Sequence, residues 1–294
     1  EYNRGKDNDY RLANETMSSK LFKKHTYGTQ TTIGTGEHLR NPSMEKIHQY
    51  FNDWYVPNNM AIILSGDINP DLTVDLIKQY FGTFEYKDVP IFEAAVEDEI
   101  NEPEYVSVTG TNTAWVNIGY RLPGIKSEDI YMMDLFDGLL NNGQAGLIDL
   151  NLIKGQKVLE AYCYGEVMKD YSVFELQGVP RIGQSLDEVK DLLLAEIEKI
   201  KSGDFEDWLL KAVIKNFKLR EQEGLLYNRV RAGIMTNAFI LGQQWSNVVN
   251  MKEKLNEVSK QDIIDFANKY FKNNYVVVYK ENGERNNPKI EKPK

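Results

Sequence analysis

The stretch "WYVPNNMAIILSGD", Trp54 to Asp67, returns in altered form as "KYFKNNYVVVYKENG", Lys269 to Gly283. Shifting the chain by 215 positions, the distance from Tyr55 to Tyr270, also superposes Phe51 on Phe266, Asn58 and Asn59 on Asn273 and Asn274, and Ile62 and Ile63 on Val277 and Val278. The residues ahead of each copy, "NPSMEKIHQYFNDWY" and "VSKQDIIDFANKYF", read as an amphipathic helix that passes through a short polar turn into a strand. Asn41 and Pro42 are expected to cap and start the first helix, and Ser259 with Asp262 has the pattern of a capping box for the second. Agreement at a single offset points to an internal repeat, two modules that each close with a helix, an Asn-Asn turn and an apolar strand.

The second copy closes a module that reads as complete. Strands are expected at "EYVSVTG" and "TAWVNIGYRL", the latter placing Ala114, Val116, Ile118 and Tyr120 on one face. A helix capped by Ser127 follows in "SEDIYMMDLFDGLLNN", then a shorter one in "QAGLIDLNLI". Two more strands, "KVLEAYCYGEV" and "YSVFELQGVP", meet at a tight turn over Lys169 and Asp170. Ser185 and Glu188 make a capping box for "SLDEVKDLLLAEIEKIKSG", and further helices run through Trp208–Arg220 and Leu225–Leu241. Short turns between neighbouring strands and helices between the strand groups predict an α+β fold, an antiparallel sheet with helices packed on one face, present as two homologous modules.

The first module shows far less: a helix around Leu12–Lys24, the repeated helix and strand, and a helix started by Asn69 and Pro70. Moving the second module's start back by the repeat distance puts the first module's start roughly 110 residues before Glu1, so the chain is expected to be a fragment whose first module is truncated at its N-terminus. The expected division is 1–84 for the end of the first module, 85–102 for an acidic linker, 103–282 for the second module and 283–294 for the start of a further linker.

Composition narrows the partners. A net charge of -9, with Lys and Arg scattered among carboxylates, leaves no basic stripe for nucleic acid. No apolar run approaches the roughly 18 to 20 residues of a membrane span, so a soluble chain, cytoplasmic or periplasmic, is expected. The single cysteine, Cys163, forms no intrachain disulfide and is compatible with either compartment.

Chemistry-bearing motifs are sparse. None of the three histidines, His25, His38 and His48, has a helical partner at metal-ligand spacing. His25 is expected to end a helix, and His48 to be structural. "TIGTGEHL" lacks the Lys-Ser or Lys-Thr of a phosphate loop. Asp67, Asn69 and Asp71 resemble the first ligands of a calcium loop, but Leu72 and Lys78 stand where its glycine and glutamate belong. The carboxylates of the linker are expected to be solvated.

"TTIGTGEHLRNPSMEKIHQYFNDWYVPNNMAIILSGD" resembles the end of the catalytic domain in the insulinase and pitrilysin family of zinc peptidases, through Ile33, Gly34, Thr35, Tyr55, Pro57, Asn59, Met60, Gly66 and Asp67. "LLNNGQAGLIDLNLIKGQKVLEAY", with Tyr162, is similar to the family's second-domain segment. The resemblance implies paired α+β modules, zinc held by an H-x-x-E-H helix plus a downstream glutamate, and hydrolysis of peptides in an enclosed chamber. The H-x-x-E-H motif is absent here, so the fragment alone is expected to be inactive and to hold no cofactor, with zinc in the intact parent. Glu1 falls at about the place of the downstream zinc ligand, an exposed terminal glutamate being the alternative. Leu152, Ile153 and Lys154 replace the Leu-Arg of many active partners, which implies an inactive module that forms chamber wall and substrate scaffold. The expected partners are peptide substrates and paired modules of the parent chain or of a homologous subunit. The alternative is a non-catalytic homologue acting as a scaffold or peptide-binding subunit.

Overall fold

The structure, a computed structural model, describes residues 1–285; the part of the expected tail linker from 286 onward lies outside the described residues. In chain order the helices are α1 (Tyr2–Lys6), α2 (Asp9–Leu21), α3 (Thr26–Thr29), α4 (Gly36–Arg40), α5 (Met44–Trp54), α6 (Pro70–Phe81), α7 (Met132–Leu140), α8 (Leu186–Ser202), α9 (Asp207–Gly224), α10 (Asn228–Ile240), α11 (Trp245–Glu257) and α12 (Lys260–Tyr270). The strands are β1 (Glu104–Gly110), β2 (Trp115–Pro123), β3 (Glu160–Val167), β4 (Tyr171–Val179) and β5 (Tyr275–Asn282). Two compact units emerge among the described residues: Glu1–Gly36 with Ala94–Phe217 and 251–285, and Glu37–Glu93 with Lys218–Asn250.

The first unit is built on a five-stranded sheet in the order β1-β5-β2-β4-β3. The fold is α+β, and two details go beyond the expectation. β1 and β5 run parallel, Glu104 opposite Val276, while the other pairs are antiparallel. Helices also cover both faces. On one, Val116, Ile118 and Tyr120 of β2 and Phe174 and Leu176 of β4 form a core with Phe136, Leu193, Ile197, Ile263 and Phe266 from α7, α8 and α12. On the other, Ala13, Met17 and Leu21, spaced four apart along α2, pack with Phe22 on Trp115, Val173, Val276 and Val278. The consecutive buried valines 276–278 explain the second layer, because an apolar run without alternation must be covered on both sides.

Helix starts follow local hydrogen bonding. Ser185 and Ser259 cap α8 and α12 in full capping boxes with Glu188 and Asp262, and Asn69 caps α6 through the Leu72 N–H. Ser43, rather than Asn41, caps α5, its hydroxyl accepting from the Lys46 N–H. Ser127 does not cap α7; its hydroxyl donates to the Asp129 carboxylate at 2.7 Å, and the helix begins at Met132. The segment "QAGLIDLNLI" forms short tight and wide turns rather than one α-helix.

The second unit contains α5, α6 and α10. Its repeated turn is made as in the first unit: Asn59 Nδ2 donates to the Trp54 carbonyl at 2.9 Å, and Asn274 Nδ2 donates to the Tyr270 carbonyl at 3.1 Å. Past the turn the copies diverge. The expected strand after Met60 forms no ladder, since no strand among the described residues runs beside it, and an extended segment holds a strand conformation only through such pairing. Arg231 of α10 donates from Nε to Ser65 Oγ at 3.0 Å. The helices α2 and α10, each of thirteen residues, precede the two copies of the repeat and are exchanged: α2 groups with the β5 copy and α10 with the α5 copy.

Candidate functional site

The sheet face under α2 is the most chemically varied part of the chain. Period-two alternation sends Trp115, Asn117, Gly119 and Arg121 of β2 and Glu175 and Gln177 of β4 to the face opposite the apolar core. Register then aligns Tyr164, Glu175 and Gly119 in one cross-strand row and Tyr162, Gln177 and Asn117 in the next. The Tyr162 hydroxyl donates to Gln177 Oε1 at 2.8 Å, and Asn117 Nδ2 donates diagonally to Glu175 Oε2 at 3.4 Å.

Both ends of α2 are fixed to this face. At its start the buried Asp9 carboxylate accepts from the Asn112 N–H at 2.8 Å and lies 3.2 Å from the Lys280 ammonium, with the Arg285 guanidinium at 3.7 Å. Lys280 is fully buried; its Nζ donates to the Gly110 carbonyl at 3.1 Å and sits 5.0 Å over the Trp115 ring, which stacks on Tyr10. Burial alone would raise the Asp9 carboxyl, but the Asn112 N–H and the two cations outweigh it and hold it below the ordinary aspartate value. At the helix end Arg121 donates to the Leu21 carbonyl and to the Asp98 carbonyl, and faces Glu97 at 3.5 Å. A side chain placed at Gly119 would meet Met17 Sδ at 2.5 Å, so the glycine permits the helix to approach the sheet.

Glu97 corrects the expectation of a wholly solvated acidic linker. Its side chain is 2% exposed and accepts from the backbone N–H groups of Lys23, Lys24 and His25 at 3.0, 2.7 and 2.6 Å. Burial opposes its charge, yet these three donors and Arg121 prevail and lower its pKa. His25 likewise does not terminate a helix: α2 stops at Leu21, and His25 is fully buried and caps the start of α3, Nδ1 accepting from the Tyr27 N–H at 3.2 Å. His48 lies on the exposed α5.

Between α2 and the β3 edge opens a cavity of 470 Å³. Its walls are Asn14 and Ser18 of α2, the segment from Tyr27 to Thr32, and Tyr164 and Glu166 of β3. Glu175, 6% exposed, also lines it. Burial raises this carboxyl to about 7 against the pull of the donors Tyr164 and Asn117, and Glu166 adds like-charge repulsion. Glu175, Asn117 and Glu97 were not singled out from the sequence. The signal was present in "YSVFELQGV", where a glutamate and a glutamine occupy alternate positions of a strand whose other face is apolar.

Glu1 lies at the start of α1, exposed and ion-paired with Arg4. Among the described residues no group of three His, Cys, Asp or Glu side chains converges on a metal position, so the residues present do not fit a catalytic zinc and no step through one is assigned to them. Cys163 is buried against Asp137, its Sγ 3.2 Å from Oδ1, and burial with that carboxylate pushes the thiol well up, away from nucleophilic character. No helix among the described residues is long and apolar enough to cross a membrane.

The family model described as peptidase M16 inactive domain matches residues 43–217, more than half of the chain. The chain belongs to the M16 peptidase family. Among relatives of this M16 chain, the zinc protease PqqE of Helicobacter pylori is 21% identical over 253 residues, covering 82% of this chain and 55% of that protein. The uncharacterized zinc protease YmxG of Bacillus subtilis is 22% identical over 278 residues, covering 91% of this chain and 66% of that one. This chain thus spans about half to two thirds of the length of these relatives. The solved peptidase M16 inactive domain of Pseudomonas fluorescens superposes with a TM-score of 0.82 at 13% identity, over 98% of this chain and 68% of that one, a likeness of fold.

Proposed function

We propose that this chain is the non-catalytic part of a zinc metallopeptidase, in which 103–282 forms an inactive-type module, 1–84 ends a catalytic-type module and 85–102 joins them. One observation carries the reading. The second unit turns the apolar residues of its repeated elements to solvent: Phe51 is 56% exposed and Ile62 44%, whereas their repeat partners Phe266 and Val277 are buried in the first unit. Such faces are the surfaces of a module that lacks its sheet. The M16 match and the zinc-protease names of the relatives support the same reading. In the parent, further strands would pair with the segment after Met60 and cover α5, Glu1 would be the downstream zinc ligand, and the present module would wall a chamber for peptides.

The test begins with the reading frame upstream of Glu1. An H-x-x-E-H helix is expected within the roughly 110 residues before it. The parent should then carry stoichiometric zinc and cleave a fluorogenic peptide in a chelator-sensitive way, while this chain alone does neither. A parent without the motif would replace this reading with that of a scaffold or peptide-binding homologue, and metal-dependent turnover by this chain alone would overturn the division of labour.

A further inference from the structure

The groove between α2 and the β3 edge contains a carboxylate in an unusual position. Buried charges in folded proteins are nearly always matched by an opposite charge, because desolvation of an isolated ion is unfavourable by several kcal/mol. The chain obeys this rule elsewhere on the same face: Asp9 has Lys280 and Arg285, and Glu97 has Arg121. Glu175 is the exception. Its hydrogen-bond partners, Tyr164 and Asn117, are neutral donors that favour the anion, and no Lys, Arg or His lines the cavity into which it opens.

The surroundings extend that chemistry. Glu166 adds a second carboxylate from β3 on the same wall. Tyr164 and Tyr27 also line the cavity, as do the neutral polar side chains of Gln30, Thr31 and Ser18. The volume, 470 Å³, lies in the range of about 300–1,000 Å³ that holds specific ligands, and suits one long side chain with its adjoining backbone. Two of the cavity's lining residues, Tyr164 and Glu166, belong to β3, an edge strand of the sheet, and an edge strand is where an extended chain can add.

We propose that the groove between α2 and the β3–β4 edge is a pocket for one basic side chain of an extended polypeptide, with the Glu175 and Glu166 carboxylates as its anchors. This rests on the peptide-handling reading above, and it assigns to that reading a preference for a cationic residue. It also accounts for an ionisable group at a position where a glutamine would fold more easily: the buried carboxylate disfavours the empty state and is compensated when the ligand's ammonium or guanidinium enters.

The experiment is a calorimetric titration of the whole chain at pH 8 with a capped Ala-Ala-Arg-Ala-Ala peptide and with its citrulline analogue, which keeps the shape and loses the charge. The arginine peptide is expected to bind about tenfold or more tightly than the analogue, and Glu175→Gln to reduce it to the analogue's affinity. Equal affinity for the two peptides, absence of binding by the arginine peptide, or unchanged affinity in Glu175→Gln overturns the proposal. Spermidine binding more tightly than the peptide overturns its assignment to a polypeptide side chain. If circular dichroism shows Glu175→Gln unfolded, Glu166→Gln on the exposed side of β3 replaces it, with a loss of about threefold or more expected and no loss counting against the pocket. The titration uses neither zinc nor turnover, so its failure leaves the metallopeptidase reading standing, and failure of that reading leaves the binding result intact.

Discussion

The helix, Asn-Asn turn and strand occur twice in this chain and meet two fates. In the first unit α12 and β5 are enclosed, with Phe266 and Val276–Val278 withdrawn from water and β5 paired on both sides. In the second, α5 forms and the turn closes through the same asparagine, yet no residue of α5 is buried and the segment after Met60 has no ladder. The difference shows what each level of information specifies. Capping, amphipathic spacing and turn chemistry are local and survive alone, whereas strand identity and core burial depend on neighbours.

Substitution at the paired positions gives the widest separation between the copies. Phe266→Ala is expected to destabilise the first unit by about 3–5 kcal/mol in urea unfolding, and Phe51→Ala to change stability by no more than about 0.5 kcal/mol. Attaching the upstream part of the parent should abolish that contrast, making Phe51→Ala costly as well. Equal effects in the present chain would mean that the copies are equally packed.

Removing α2 from its anchor should make the first unit resemble the second. Asp9→Ala leaves Lys280 buried without its carboxylate and is expected to destabilise by about 3–5 kcal/mol, read by urea unfolding and by faster amide exchange in β5. The wild-type protein should show the same dependence with pH. Asp9 and Glu97 both have lowered values in the folded chain, so their stabilisation is present above the ordinary carboxylate range and is lost as pH falls through those lowered values.

Glu175 behaves in the opposite sense. Its folded value is raised from 4.5 to about 7, so its protonated form favours folding at low pH and that contribution is lost as pH rises through about 7. Glu175→Gln should therefore equal the wild type in stability near pH 4 and exceed it by at most about 3 kcal/mol at pH 8, measured as melting temperature against pH. A flat difference across that range would remove the uncompensated charge from the account. A smaller and purely local effect belongs to the shared turn: Asn59→Ala and Asn274→Ala each lose one side-chain hydrogen bond to a helix-end carbonyl and should each lower local stability by about 1 kcal/mol, seen in exchange of the following amides.

Much of the fold was legible because its signals are periodic. The alternation in "TAWVNIGYRL" located β2, the tight turn at Lys169 and Asp170 located β3 and β4 on either side of it, and Ser-x-x-Glu and Ser-x-x-Asp located the starts of α8 and α12. Ser127 misled because its hydroxyl found Asp129 before any helix N–H, and Ser43 prevailed over Asn41 because it stands immediately before the first helical turn. The second helical layer was hidden for another reason: α2 contacts strands distant from it in sequence, and no local pattern records that meeting. The candidate site was partly legible. Polar residues on the second face of β2 and β4 were readable as a row, but the cavity exists only where that row meets α2 and the segment from Tyr27 to Thr32.

The place of β5 in the sheet bears on biosynthesis. It lies between β1 and β2, strands that leave the ribosome much earlier, and Lys280 meets the Gly110 carbonyl from 170 positions away. At about 5–20 residues per second, roughly 10 to 30 seconds of translation separate the two. During that interval β1 and β2 wait with a gap between them and α2 has no buried lysine to receive Asp9, so a chaperone that shields this nascent surface would have its longest engagement here.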